Sequence, residues 1–352
     1  MADSSEGPSI WWWAFGYFAC YVPYTALTKM LSKPLIDTGG TKVGGLELLP
    51  PTAMASVLAM VGFLLVTGWW RHAGRRTIAG RSLPMPRKLT ILSGLCSSGI
   101  IATTTLAYTL GASALVLALF MRGGVLVLAP IIDGISRRKV RWFSWAALIL
   151  SLSSLAVVAG LVEIDGHGLH FVAFDAESMA MTTVAIVDVG LYLAFYFVRL
   201  TLMSKRAKSS DSATNLRYFV EELMVSTPAL VILLALGALV LGGDHGHELR
   251  VGFSSFFDRP VVLHAFAIGV LSQGTGIFGG LIFLDQRENT FCVPVNRASS
   301  VLAVLIASVF LTSAYPSYPA VQRAELIGAA LIIAAIGFLT IAPALAKRRT
   351  AR

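Results

Sequence analysis

Three arginines lie inside long apolar stretches of the sequence, Arg122, Arg199 and Arg297, and two of them, Arg122 in the segment FMRGG and Arg297 in VNRAS, form a candidate pair. A guanidinium in the bilayer interior costs roughly 3 to more than 10 kcal/mol, so it is retained where it faces a partner or a ligand inside a helix bundle. The planar guanidinium binds a carboxylate or a phosphate through two parallel hydrogen bonds. The pair therefore predicts a binding site for a small organic anion.

Two carboxylates could neutralise these arginines instead. Asp188 falls in the middle of the sixth predicted span and Glu222 one turn inside the seventh. If either pairs with Arg122 or Arg297, the charges form a structural or gating ion network. The two roles are compatible, because a carboxylate that releases its arginine when substrate arrives couples binding to a conformational change.

Other polar side chains within the spans complete the predicted site. Gln273 and Asn296 rank first, because primary amides are hard to bury without a partner. Small polar residues in spans more often pack one helix against another. The predicted substrate-binding residues are Arg122, Arg297, Asn296, Gln273, Ser98, Tyr108, Tyr21 and Tyr192, and the predicted coupling or ion-pair residues are Asp188 and Glu222.

The composition indicates that these residues are positioned by membrane-spanning helices. Of 352 residues, 56% are hydrophobic and 13% are charged, and the mean hydropathy is +0.74. Soluble domains carry about 25% charged residues, so a soluble enzyme is excluded. Ten apolar stretches are about long enough to cross a bilayer: 11–32, 50–70, 88–110, 113–136, 142–162, 179–203, 217–242, 260–284, 291–313 and 324–346.

The basic residues predict the orientation of these spans. The net charge is +9, and most of the 28 Lys and Arg residues fall in alternate loops and in the C-terminal tail. Under the positive-inside rule both termini are cytoplasmic. All seven tryptophans then lie at cytoplasmic span ends, where indole rings are enriched. Because topology accounts for the charge, we expect no nucleic-acid partner.

The sequence also repeats itself at a spacing of 175 residues. Gly94–Gly99 (GLCSSG) aligns with Gly269–Gly274 (GVLSQG). The same spacing relates Arg122 to Arg297, Glu47 to Glu222, Tyr17 to Tyr192 and Tyr21 to Tyr196. We therefore predict an N-terminal tail (1–10), a first five-helix repeat (11–162), an outer loop (163–178), a second repeat (179–346) and a basic cytoplasmic tail (347–352).

An odd number of spans in each repeat inverts the second repeat in the membrane. Inverted repeats are characteristic of secondary transporters, which bind substrate near the midplane between the halves. Asp188 aligns with Trp13 and so has no acidic counterpart. This asymmetry makes Asp188 a candidate for coupling transport to a proton.

The region TTTLAYTLGASALVLALFMRGGVLVLAPIIDGI, the basic turn SRRKVRW and the span AALILSLSSLAVVAG resemble the drug/metabolite transporter superfamily. Its members include EamA-type exporters, nucleotide-sugar transporters and sugar-phosphate translocators. The resemblance covers essentially the whole chain. It implies ten helices in two inverted five-helix repeats, cytosolic termini and alternating access. In the phosphate-translocating relatives, basic residues on the fourth and ninth spans hold phosphate, at places similar to Arg122 and Arg297.

Other signals do not indicate an enzyme or a cofactor. The segment Gly274–Gly279 spells GxGxxG, but no strand precedes it, as a dinucleotide-binding fold requires. We interpret Gly276 and Gly280 instead as a face on which two helices pack closely. The outer loops IDGHGLH and GDHGHEL are interpreted as solvated turns rather than a metal site. The three cysteines lie in apolar runs, so we expect no disulfide.

The sequence predicts a secondary transporter that exports or exchanges a small polar organic anion. The alternatives are an amino-acid or amphipathic drug exporter of the same fold, and a non-transporting scaffold or channel. The expected partners are the substrate, the lipid bilayer and a coupling proton or counter-substrate. No basic segment precedes the first span, so no cleavable signal is expected, and a bacterial cytoplasmic membrane is the favoured location.

Overall fold

The computed structural model describes residues 9–33, 35–36, 43–78, 81–107, 114–158, 162–165, 168–171, 183–209 and 211–350. Over these residues the chain is an all-α, multi-pass membrane protein with two short β-hairpins. Its α-helices are α1 (Ile10–Ser32), α2 (Gly45–Thr67), α3 (Lys88–Ala107), α4 (Ala114–Ile135), α5 (Trp142–Val158), α6 (Thr183–Arg206), α7 (Ser212–Val240), α8 (Gly243–Phe253), α9 (Val262–Leu284), α10 (Asn289–Ala314) and α11 (Arg323–Thr350).

All of these helices except α8 coincide with the ten predicted segments. Within the described residues, α2, α6, α7, α9, α10 and α11 are long and apolar enough to cross a membrane. Helix α2 begins five residues earlier than predicted, where the Gly44 backbone N–H donates to the Glu47 side chain. Helix α7 also begins five residues early, because Asp211 accepts hydrogen bonds from the backbone N–H groups of Ala213 and Thr214. Polar capping residues therefore extend both helices beyond their apolar cores.

The segments between the long helices contain structure that the sequence did not predict. Strands β1 (Arg75–Ile78) and β2 (Arg81–Pro84) pair antiparallel, as do β3 (Val162–Asp165) and β4 (Gly168–Phe171). The second hairpin lies where a solvated loop was expected. The other predicted turn, GDHGHEL, belongs to α8, which packs on α2 and α7.

The helix contacts occur in related pairs. Helix α1 packs on α9 as α6 packs on α3, α2 packs on α9 as α7 packs on α3, and α1 packs on α10 as α6 packs on α4. Three further contacts join α2 to α7, α4 to α10, and α5 to α11. Helices α1, α2, α3, α4 and α5 correspond in this order to α6, α7, α9, α10 and α11. When each helix is replaced by its counterpart, every contact named in this paragraph becomes a contact that is also present in the structure.

Glycines of the repeated segment lie where helices approach most closely. A Cβ atom on Gly99 of α3 would lie 2.5 Å from the Phe195 ring of α6. A Cβ atom on Gly274 of α9 would lie 2.6 Å from the Cys20 sulfur of α1. Phe195 and Cys20 are themselves 175 positions apart. The repeated glycines therefore make corresponding contacts in the two halves of the chain.

Candidate functional site

A cavity of about 1100 Å³ lies between the helices, and its mouth is at the end of the bundle where exposed residues line it, among them Ser32, Gly45 and His245. It follows α1 from Tyr17 to Ser32, roughly 22 Å at 1.5 Å per residue. Lys29, His245 and Glu248 lie towards its mouth. The predicted site residues that line the cavity are Tyr21, Arg122, Tyr192, Glu222, Gln273, Asn296 and Arg297.

Two pairs of tyrosines face the deep part of this cavity. Tyr17 and Tyr21 of α1 are stacked, with ring centroids 5.3 Å apart. Tyr192 and Tyr196 of α6 have centroids 4.9 Å apart. One helical turn separates the two members of each pair, so both rings lie on the same helix face. The pairs are repeat counterparts, and each half contributes one of them to the cavity.

Arg297 of α10 lies against the second tyrosine pair. Its Nη2 donates to the Tyr196 hydroxyl at 3.2 Å and to the Tyr192 hydroxyl at 3.5 Å. The guanidinium carbon lies 5.5 Å from the Tyr196 ring centroid. Within the described part of the chain its Nε has no hydrogen-bond partner, and none of the ion pairs formed there includes Arg297. Neutral hydroxyls therefore surround a cation that lines a cavity.

Arg122 of α4 faces the same region. Arg122, Arg297, Tyr17 and Tyr192 all line the cavity. Helices α4 and α10 also pack directly on each other. The two repeat-related arginines and the two repeat-related tyrosines therefore share one cavity.

The carboxylate of Glu222 is bound by a residue that the predicted site did not include. Its Oε1 lies 2.6 Å from Arg199 Nε of α6 and accepts hydrogen bonds from Ser93 at 3.0 Å and Ser97 at 2.9 Å. Arg199 is 13% exposed and Glu222 is 4% exposed. Glu222 lies almost three turns inside α7, deeper than predicted, because α7 begins at Ser212. The ion pair that it forms is with Arg199, a further cavity-lining residue.

The two predicted amides line the cavity, and one lacks part of its hydrogen bonding. Gln273 Oε1 accepts from the Thr227 hydroxyl at 3.2 Å, whereas Gln273 Nε2 has no partner among the described residues. Asn296 is 3% exposed, and its Nδ2 lies 3.3 Å from the position of a Cβ on Gly279. Gln273 therefore carries a buried donor without a hydrogen-bond partner among the described residues, beside the cavity.

Two described residues of the predicted site are not among those lining the cavity. Ser98 donates to the Ser226 carbonyl at 2.6 Å, which joins α3 to α7. Asp188 lies in the second turn of α6 rather than mid-span, is 3% exposed, and has no hydrogen-bond partner for either oxygen within the described ranges. Tyr108 lies outside the described residues.

The opposite end of the bundle is closed by a charged contact between α5 and α10. Arg141 donates to Glu288 through Nε at 3.0 Å and Nη2 at 2.9 Å, and the Ser144 hydroxyl donates at 2.7 Å. Burial alone would raise the pKa of Glu288, but the hydrogen bonds from Arg141 and Ser144 outweigh it and hold the pKa below its ordinary value. The carboxylate is therefore held in its charged form.

A second contact ties α4 to the start of α10 at this closed end. Asp133 accepts hydrogen bonds from the backbone N–H groups of Asn289 and Thr290, at 2.8 and 2.7 Å. It also accepts from the Asn289 amide at 2.8 Å and the Thr290 hydroxyl at 2.7 Å. Asp133 thus supplies acceptors to the unpaired N–H groups of a helix N-terminus.

Aromatic packing at the start of α1 adds to the closure. Trp11 lies edge-on to Phe291 of α10, with ring centroids 6.4 Å apart. Trp13 lies 6.3 Å from Phe278 of α9. These contacts lie on the side of the tyrosines away from the mouth, where no described residue of α1 before Tyr17 is among those that line the cavity.

No protein-family model matches the chain, and no curated protein matches it in sequence. One solved structure, named only "Crystal structure of protein", is similar with a TM-score of 0.55 at 14% sequence identity. The similarity covers 96% of this chain and 97% of that chain. At this identity the comparison shows a shared fold over nearly the whole of both chains.

Proposed function

We propose that this protein is a secondary transporter that exports or exchanges a small polar organic anion by alternating access. The observation that carries the proposal is the environment of Arg297. This cation lines the cavity, and its hydrogen-bond partners within the described residues are tyrosine hydroxyls. Removing a cation from water without a counter-charge is unfavourable. An anion that enters the cavity supplies that charge, and Arg122 adds a second cation to the same site.

The surroundings of the two predicted carboxylates favour an anion over a zwitterion. An amino-acid exporter would need one arginine for the carboxylate and one acid for the amine. Glu222 already pairs with Arg199 and accepts hydrogen bonds from Ser93 and Ser97, and Asp188 is not among the residues that line the cavity. An amine at Glu222 would therefore share that carboxylate with Arg199.

Paired helix contacts support an inverted repeat of two five-helix halves. The exchange of α1–α5 for the later helices preserves the helix contacts described above, and the repeated arginines and tyrosines line one cavity. In such folds a rearrangement of one half against the other opens the site alternately to the two sides. With both termini cytoplasmic, as the basic residues predict, the open mouth faces away from the cytoplasm. The drug/metabolite transporter resemblance agrees with this arrangement, and we retain a bacterial cytoplasmic membrane as the proposed location.

Thermal unfolding of the purified protein in detergent tests the binding step. Phosphorylated, carboxylated, zwitterionic and cationic metabolites are compared on wild type, Arg122→Gln and Arg297→Gln. A ligand at 100 times its Kd adds about 2.7 kcal/mol of stability. We expect only anions to raise the unfolding temperature of the wild type, and both variants to lose this response while remaining folded.

The control is Arg259→Gln, which removes the ion pair between Arg259 and Glu47 outside the cavity lining. This variant should keep the response to anions. The proposal fails if no anion stabilises the wild type, or if Arg297→Gln responds as fully as Arg259→Gln. Saturable counterflow in liposomes then distinguishes a carrier from a scaffold, which gives no uptake, and from a channel, which conducts without exchange.

A further inference from the structure

Helix α1 lines the cavity with a continuous row of aromatic rings. Tyr17, Tyr21 and Tyr24 follow one another at intervals of four and three residues, which keeps them on one helix face. Tyr21 is stacked on Tyr17 with centroids 5.3 Å apart, and it meets Tyr24 edge-on at 5.5 Å. All three residues line the cavity. The row runs from the arginine site towards the mouth.

The outer rings of the row are accessible, whereas the inner rings are packed. Tyr17, Tyr192 and Tyr196 are 8%, 4% and 7% exposed, so most of their ring surface is occupied. Tyr21 and Tyr24 are only partly buried. Aromatic surface is therefore presented to the cavity that Arg122 and Arg297 also line.

We propose that the transported anion is an aromatic acid, with its anionic group between Arg122 and Arg297 and its ring stacked on Tyr21. This inference rests on the proposed function and specifies its substrate class. The rings of Tyr21 and Tyr24 offer faces and edges with which an aromatic solute stacks. The cavity is larger than a one-ring acid, so the ring is oriented by these contacts rather than by a close fit.

Two other anion classes make different demands on the same residues. A saturated acid of equal size would gain only from burial of apolar area, and its larger hydrocarbon surface would make it the tighter ligand. A polyhydroxylated acid would use the tyrosine hydroxyls and would not need the rings. The difference between ring and hydroxyl can be tested by substitution at Tyr21.

The experiment measures the Kd of three monoanions from ligand-dependent thermal unfolding in detergent. Benzoate and cyclohexanecarboxylate match in charge and heavy-atom number, and gluconate carries hydroxyls instead of a ring. We expect wild type to bind benzoate about 2- to 10-fold more tightly than cyclohexanecarboxylate, the range for an added aromatic contact. Tyr21→Phe should keep this preference, and Tyr21→Leu should reduce the ratio to about one or below.

Each alternative outcome is specific. Equal or tighter binding of cyclohexanecarboxylate by the wild type overturns the aromatic preference and leaves anion transport intact. Tighter binding of gluconate, with loss of that binding in Tyr21→Phe, assigns recognition to the hydroxyls and also overturns the inference. If none of the three anions binds, the inference is overturned, and the proposed function falls with it only if phosphorylated anions fail as well.

Discussion

At the scale of single residues, two buried aspartates of the spanning helices differ in what surrounds them. Asp133 is fully buried and accepts four hydrogen bonds from Asn289 and Thr290. Asp188 is 3% exposed and, within the described ranges, neither of its oxygens accepts a hydrogen bond. A buried carboxylate without partners costs free energy, whereas one with charge-assisted bonds holds helices together. The two residues should therefore respond oppositely to neutralisation.

We predict that Asp133→Asn lowers the free energy of unfolding by about 2 kcal/mol or more, because its new NH2 group faces backbone donors and hydrogen bonds to a charged group are lost. Asp188→Asn should change stability by less than about 0.5 kcal/mol or increase it. Unfolding in detergent at neutral pH measures both, and each variant is the control for the other. Equal destabilisation by the two substitutions would contradict this account, since it would mean that Asp188 has a stabilising partner.

Residue chemistry was easier to predict than residue pairing. The sequence could single out four polar residues, because burying a charge or an amide in an apolar span is unfavourable without a partner. All four line the cavity: Arg122, Arg297, Gln273 and Asn296. The partner of Glu222 could not be selected in this way. Arg199 was visible as an intramembrane arginine, but which cation meets a given carboxylate depends on the rotation of α6 relative to α7.

At the scale of elements, the long helices were predictable because their apolar length is set by the bilayer. Their ends were less so, since polar caps such as Asp211 extend α7 beyond its apolar part. Helix α8 and the hairpins lie in short polar segments that carry no hydrophobic periodicity. Their positions depend on tertiary contacts, for example of α8 with α2, which a single sequence does not reveal.

One element-level interpretation holds for one glycine and is wrong for the other, and the difference can be measured. Gly276 and Gly280 were interpreted as a close-packing face of α9, but a Cβ on Gly276 would meet nothing within 4 Å, whereas one on Gly280 would lie 2.9 Å from the Phe219 ring. On the same helix, a Cβ on Gly269 would meet the backbone oxygen of Thr52 in α2. Among the glycines of α9, Gly269 is therefore the one whose missing side chain lies against the backbone of α2.

We predict that Gly269→Ala lowers the free energy of unfolding by about 1–3 kcal/mol, because backbone atoms of α2 must move to admit the methyl group. Gly276→Ala should be neutral or stabilise α9 by up to about 1 kcal/mol, since alanine is the better helix former. Unfolding of both variants in the same detergent gives the comparison. A Gly269→Ala variant as stable as Gly276→Ala would show that α9 and α2 are not in this close contact.

At the scale of the whole molecule, the proposed alternating access couples the open mouth to the contacts at the other end of the bundle. The pKa of Glu288 is held below its ordinary value, so its contact with Arg141 contributes stability fully above the unfolded pKa of about 4.5. That contribution is lost as the pH falls through the lower pKa of the folded protein. At neutral pH, Glu288→Gln removes the charge and so weakens the closure without acid.

If the two ends open alternately, weakening the closed end must reduce the population with an open mouth. A cysteine at Thr28, which lines the cavity, reports that population through its rate of labelling by a maleimide, after the three native cysteines are replaced by alanine. We predict that Glu288→Gln slows labelling of Thr28→Cys about twofold or more.

A cysteine at the exposed Ser313, outside the cavity lining, should label at an unchanged rate. If Glu288→Gln leaves the rate at Thr28→Cys unaltered in a folded protein, the two ends are uncoupled, as in a scaffold or a fixed pore, and alternating access is the wrong mechanism.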